Sequence, residues 1–475
     1  MTSLKPLILC LSTALVIHAA ELEHQTIPND NPDITLNKFA YGACWKSTHS
    51  QKHWPVILEN EPQLWLWLGD NIYSDTQDMD LLKKKYGLLG ATEGYQDLVK
   101  SCPVIATWDD HDYGANDAGV GFPKKKESQK LFLEFFNERA DSPRNTREGV
   151  YTSYYYGSAE QRVQIILLDT RYFRSALKKR EGKPPYRRMG KWLPDSDPTV
   201  TMLGDAQWQW LEKELKQPAK IRLIATSIQF AVPHHGHETW ANMTLEKQRM
   251  IDLIKKTKAE GVIFLSGDIH SSELCIAEPK GCYPLVDFTS SSLNIPLGSS
   301  NTHQRTGPAY GGANFGLVEI DWKAADPVVR ISTKDTKNQT RLHHAVRLSE
   351  LTFADKNVIH TAPSDTFAGE WQTFYGPMTL TAHRDAKVDS AVNWTGKCAD
   401  RSLNLKLVQD ELHGTWQGEN RSGKVIFKLS RDGRFLRGKY SDDDLPLQLD
   451  WSAWKPDWEK HFKRDDYHLR KKKKK

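Results

Sequence analysis

The sequence predicts an α/β protein, with a layered domain of buried strands and helices followed by a small antiparallel β domain. Three observations support this. The chain has 475 residues, which at roughly 100–200 per domain is too long for one ordinary core. Short apolar runs recur between residues 64 and 265 and alternate with helical patterns. From about Thr366 the texture changes to short alternating segments punctuated by glycine.

The first twenty residues read as an export leader, with Lys5 as the positive end, an apolar run over 7–17 and Ala19-Ala20 for cleavage. The run is too short to span a bilayer, and no later stretch is apolar enough, so a secreted or periplasmic protein is expected. Five apolar runs then end abruptly at polar residues: 64–68 before Gly69-Asp70, 104–108 before Asp109, 165–168 before Asp169, 221–225 before Thr226, and 262–265 before Ser266-Gly267-Asp268. Lacking alternation, they read as strands buried on both faces, in a sheet sandwiched between helices.

Three helices are expected between them. Leu131, Phe132, Phe135 and Phe136 share a face after Ser128, as do Trp208, Leu211 and Leu215 after Asp205. A third carries Met250, Ile251, Ile254 and Lys258 and is expected to stop at a left-handed cap on Gly261. Ligands of such sheets gather at the carboxyl ends of strands. The stretch 335–365 is polar and without a clear period, so the boundary falls there: residues 21–350 form the first domain and 366–455 the second. Within the second, 403–408 and 424–429 read as strands and Asp432-Gly433 as a turn.

Residues 456–475 form a basic tail ending in five lysines, which by themselves equal the net charge of +5. The body is near neutral, which argues against a dedicated nucleic-acid binder. Once Cys10 leaves with the leader, an odd set remains: Cys44, Cys102, Cys275, Cys282 and Cys398. Cys275 and Cys282 are close enough for a loop disulfide, the alternative being two buried thiols.

Strand ends carry the chemistry. Gly69-Asp70-Asn71-Ile72-Tyr73 places a carboxylate and a phenol on one turn, Trp108-Asp109-Asp110-His111-Asp112 packs three carboxylates around an imidazole, and Gly267-Asp268-Ile269-His270 adds a third pair. Carboxylates gathered this way repel one another unless cations hold them. His234, His235 and His237 read as rim residues, with metal ligation the minority alternative.

With Asp169-Thr-Arg171, Leu203-Gly-Asp-Ala-Gln207-Trp-Gln-Trp-Leu211, and Asn314-Phe-Gly-Leu-Val-Glu-Ile-Asp321, these motifs resemble the alkaline phosphatase D (PhoD-like) family of calcineurin-like metallophosphoesterases over about 38–330. The resemblance implies a β-sandwich flanked by helices and a phosphoric ester hydrolase holding Fe3+ and Ca2+, other divalent metals remaining open. Cys44 fills the slot where the wider superfamily has Asp; Cys44 and Tyr73 would bind iron, Asp70 would bridge two metals, and Asp110 and His270 would serve the cluster. Asp268 stands where the superfamily often has His, and Asn116 and Asp117 could supply oxygen ligands for calcium.

His111 would be the general acid for the leaving alkoxide or, alternatively, a histidine that fixes Asp110. Arg171 offers a fork for phosphate oxygens or a buried salt bridge to a loop aspartate. No serine-hydrolase elbow or nucleotide-binding phosphate loop is present. The expected partner is a phosphate ester, and the protein is expected to be a monomer. Two other functions stay open: a phosphodiesterase of phospholipase type at a lipid surface, and a non-catalytic, metal-stabilised binding protein using Trp371, Trp394, Trp416, Trp451 and Trp454.

Overall fold

The computed structural model describes residues 24–184, 189–298 and 305–353, then 367–373, 376–384, 392–408, 411–419, 421–429, 435–441, 449–450 and 453–454. Residues 1–20, read as a leader, the lysine tail, the expected turn at Asp432-Gly433 and Trp451 lie outside these residues.

All five apolar runs are strands, but they divide between two sheets of a β-sandwich instead of joining one. Trp65–Leu68 and Val104–Thr107 belong to a six-stranded sheet with Lys38–Gly42, Asn314–Asp321, Val328–Asp335 and Thr340–Arg347. Val163–Leu167, Ile221–Thr226 and Val262–Ser266 lie side by side in a seven-stranded sheet with Asp30–Asn31, Thr152–Tyr156, Leu285–Ser290 and Ser272–Ala277. Both hold a parallel block: Lys38–Gly42, Trp65–Leu68 and Val104–Thr107 in one, and Val163–Leu167 through Val262–Ser266 in the other. Apart from Lys38 their side chains are buried along the whole length, as expected of strands covered on both faces. One core cluster joins residues of both sheets, including Leu66, Leu68, Ile165, Leu223, Phe264 and Val318.

The helices lie where the periodicity put them, with different ends. Lys125–Phe135 begins three residues before Ser128, and Gly204–Leu215 buries Trp208, Leu211 and Leu215. Thr244–Thr257 is closed by Lys258 in the left-handed region (φ 53°), whose amide bonds back to the carbonyls of Ile254 and Lys255, while Gly261, also left-handed (φ 71°), lies beyond the cap, just before Val262–Ser266. The stretch 335–365 holds a strand, Thr340–Arg347, at the edge of the six-stranded sheet. His343 and His344 interrupt its alternation, which hides it from a search for period two.

From Gly369 onward nine antiparallel strands, counted among the described residues, form a third sheet. It closes on itself, since Ser422–Leu429 pairs with Phe435–Tyr440 as well as with Glu411–Gln417. Closure removes exposed edges. Trp371, Trp394 and Trp416 are buried in its own core with Met378, Leu405 and Phe427. They therefore do not form the binding surface considered for them, since indoles packed inside a closed sheet have no face to offer a partner. No disulfide joins Cys275 and Cys282; Cys275 is buried within Ser272–Ala277. Among the described residues, no helix is long and apolar enough to cross a membrane.

Candidate metal centre

The parallel blocks of the two sheets end at the same edge of the sandwich, and the polar loops after them converge there. Gly69 makes this possible: at φ +103° it lets the loop after Trp65–Leu68 pass so close to the next that an added Cβ would lie 2.6 Å from the backbone nitrogen of Asp109. Six of the eleven non-glycine residues with positive φ among the described residues are gathered here: Cys44, Asp70, Asp75, Asp117, Asp268 and His270. Left-handed backbone at branched or polar residues costs energy and survives where surrounding structure imposes it, which is characteristic of functional loops.

Cys44, Asp70, Tyr73 and His270 meet at one point. Asp70 Oδ2 lies 3.3 Å from Cys44 Sγ and accepts a 2.8 Å hydrogen bond from the Tyr73 hydroxyl, which is itself 3.2 Å from His270 Nε2. His270 Nδ1 is 2.7 Å from the carbonyl of Ile295, which can only accept, so Nδ1 carries the proton and Nε2 keeps its lone pair. Burial lowers the pKa of this ring to about 4. Burial, and then the Asp70 charge, push the Cys44 thiol and the Tyr73 phenol well above their usual ranges, and burial lifts Asp70 to about 6. A thiol, a phenol and a carboxyl that resist ionisation together, the last with a buried oxygen (Asp70 Oδ1) lacking any partner, suit a cation, which would favour their anionic forms and take the lone pair of the neutral His270 ring.

Three further donor groups adjoin this one, each with ligand atoms within 4.8 Å of one another: Asp70 with Asp110 and His111; Asp109 with Asp110 and Asp268; and Asp110 with Asp117 and Glu238. These oxygens fit a hard cation such as calcium. Asn116 is exposed and is held through its backbone amide to Asp75 Oδ1; Asp117 is the neighbour that joins the cluster. His234, His235 and His237 join none of the donor groups; His234 Nε2 faces the Trp192 carbonyl at 2.8 Å.

Arg171 is fully buried and bound to protein carboxylates: Nε to Asp109 Oδ1 at 2.5 Å and Nη1 to Glu238 Oε1 at 2.9 Å. Of the two alternatives for it, the geometry gives the buried salt bridge. Burial opposes charge on Asp110, yet Arg171 and His111 outweigh it and hold that carboxyl below its ordinary range. His111 packs on Tyr73 with ring centroids 4.0 Å apart and the planes tilted by 32°, and its Nδ1 is 2.7 Å from Asp75 Oδ1. Burial also opposes its charge, but Asp70, Asp75 and Asp110 prevail and raise its pKa to about 10. Glu238 and Asp75 were missed in the sequence. The former sits in the histidine-rich loop after Ile221–Thr226, where its charge was the only signal.

The family model for PhoD-like phosphatase matches residues 39–316, more than half of the chain. The chain belongs to the PhoD-like phosphatase family. Alkaline phosphatase D of Bacillus subtilis (strain 168) is 28% identical to this PhoD-like chain over 293 residues, covering 52% of this chain and 48% of that protein. The chain thus spans about half the length of that curated relative. A solved structure titled "Structure of PhoD" superposes with a TM-score of 0.55 at 17% identity, covering 68% of this chain and 71% of that one, which supports the fold. The match ends before the closed C-terminal sheet.

Proposed function

We propose that this PhoD-like protein is an exported, metal-dependent hydrolase of phosphoric esters that holds Fe3+ at Cys44, Asp70, Tyr73 and His270 and Ca2+ among Asp109, Asp110, Asp117, Asp268 and Glu238. The convergence of a thiol, a phenol, a carboxylate and an imidazole on one point carries this reading, because thiolate and phenolate donors suit ferric iron and the oxygen-rich groups suit calcium. Such metal ions, when bound, polarise the phosphoryl group and lower the pKa of the attacking water.

The protein's own residues do the rest. Lys46 sits with its ammonium 4.3 Å above the Tyr73 ring, and its backbone is clamped by Asn294, which accepts from the Lys46 amide and donates to its carbonyl, each at 2.8 Å. It is the cation placed to meet phosphate oxygens in the role once considered for Arg171, which instead holds Asp109 and Glu238 in position. The contact of Nδ1 with Asp75 fixes the His111 ring and leaves Nε2–H free to protonate the leaving oxygen. The water oxygen bonds to phosphorus as the P–O bond to the leaving group breaks with its electron pair on the alkoxide, which takes the His111 proton while the water's own proton passes to solvent.

Hydrolysis of p-nitrophenyl phosphate, with elemental analysis of the same sample, tests the proposal. Turnover with iron and calcium is expected; zinc alone would overturn the metal assignment, and a metal-loaded protein without turnover on any phosphate ester would overturn the activity.

A further inference from the structure

Beside the candidate metal centre stands a basic arm that neither the family motifs nor the metal ligands require. Residues 178–184 and 189–193 lie side by side as its two limbs: Arg180 N donates to Lys191 O and Leu193 N to Lys178 O, both at 2.8 Å, and Lys179 pairs with Trp192. The returning strand is fastened to the loop that carries Glu238, with Gly190 N donating to His235 O at 3.0 Å and Trp192 N to Gly236 O at 2.8 Å. The two backbones are so close that a Cβ on Gly190 would lie 2.0 Å from the Gly236 oxygen. At its end, Lys191 Nζ reaches Asp117 Oδ2 at 2.6 Å, and Asp117 shares a donor group with Asp110 and Glu238.

The two described limbs of the arm, 178–184 and 189–193, carry Lys178, Lys179, Arg180, Lys183 and Lys191 against one acid, Glu181, in a protein whose whole net charge is +5. Lys178, Lys179, Lys183 and Lys191 are exposed. Among the described residues, Lys191 alone of the five cations forms an ion pair. Exposed cations held on a fastened backbone beside such a centre raise the local concentration of anions and attract them at range. A simple monoester brings one phosphate, which the metal cluster, Lys46 and His111 already receive. The arm therefore has charge to spare for a second anionic group.

We propose that the arm formed by residues 178–184 and 189–193 recognises a second phosphate on the leaving group, so that the preferred substrate is multiply phosphorylated. This rests on the reading of the protein as a phosphoric ester hydrolase and narrows its substrate class. Lys178, Lys179 and Lys183 bind the distal phosphate, while Lys191 ties the arm to the cluster.

Two readouts on the full-length metal-loaded protein test it: kcat/KM for fructose 1,6-bisphosphate relative to fructose 1-phosphate, and Kd for inorganic pyrophosphate relative to inorganic phosphate. The variant is Lys178→Gln/Lys179→Gln/Lys183→Gln, and the control removes equal charge from exposed Lys397, Lys406 and Lys424 on the C-terminal sheet. Both preferences should fall about tenfold in the arm variant, the first through KM, and their salt dependence should flatten, whereas the control keeps them. Unchanged preferences, or an equal loss in the control, would overturn the proposal. A single-stranded oligonucleotide that competes for the arm more strongly than pyrophosphate would overturn it in favour of a nucleic acid. If the wild type hydrolyses neither ester but prefers pyrophosphate through the arm, the recognition arm stands and the hydrolase reading falls.

Discussion

Asp75 and His111 show how much depends on contacts between single side chains. Because the Asp75 contact orients the ring and helps to keep its proton, His111→Ala should retain metal and lose roughly 10²–10⁴-fold in kcat. The loss should shrink for esters of acidic alcohols, which leave without a proton. An equal loss on p-nitrophenyl and alkyl phosphates would contradict the acid role. Tyr73→Phe should keep the fold and remove the visible tyrosinate-to-iron band, which an absorption spectrum of the metal-loaded protein would show; a band that persists would place the phenolate elsewhere. At this scale the sequence was readable wherever donors sit on one turn, as in Asp70 with Tyr73 and Asp268 with His270. It was opaque where partners are remote. Arg171 meets Asp109 62 residues away and Glu238 67 residues away, and no local pattern encodes such pairs.

Among the elements, the buried strands announced themselves because parallel strands covered on both faces are continuous apolar runs. Which sheet each joins was not legible, since runs of equal apolarity lie in both halves of the sandwich. Thr340–Arg347 was lost for the opposite reason, as an edge strand whose exposed residues follow no alternation. The basic arm was hidden by the near-neutral balance of the whole chain, which averages away a local concentration of charge. Its attachment is testable: Gly190→Ala puts a methyl group against the Gly236 carbonyl, so the arm should detach and Trp192 fluorescence should shift while the buried strands keep their amide protection. Native fluorescence and arm contacts in that variant would contradict the tight packing.

For the whole molecule, all the donors proposed for metal lie between Cys44 and His270, whereas the closed C-terminal sheet has a separate core. A protein ending at residue 353, if it remains soluble, should therefore keep its metals and its turnover of a small ester. Loss of turnover in a folded, metal-loaded truncation would show that the sheet completes the site. Acid stability follows from two buried histidines, His24 and His53, whose pKa values burial lowers to about 4 and about 3. In the unfolded chain they bind protons near pH 6.5, so below that value the unfolded state takes up more protons than the folded one. Their contribution is present in full above about pH 6.5 and is lost as the pH falls towards 3. His53→Leu should flatten the decline of Tm between pH 6.5 and 4, and an unchanged slope would contradict the assignment.

The central claim is that Asp70 joins the thiol, phenol and imidazole donors to the carboxylate groups in one metal centre that hydrolyses phosphoric esters. A neutral amide there removes a charge and a strong donor without changing shape. The most direct test is the rate of p-nitrophenyl phosphate hydrolysis by Asp70→Asn beside the wild type, with bound metal counted in both. The account predicts that the wild type turns over with metal bound and that Asp70→Asn loses both metal and activity; normal turnover in the variant would contradict it.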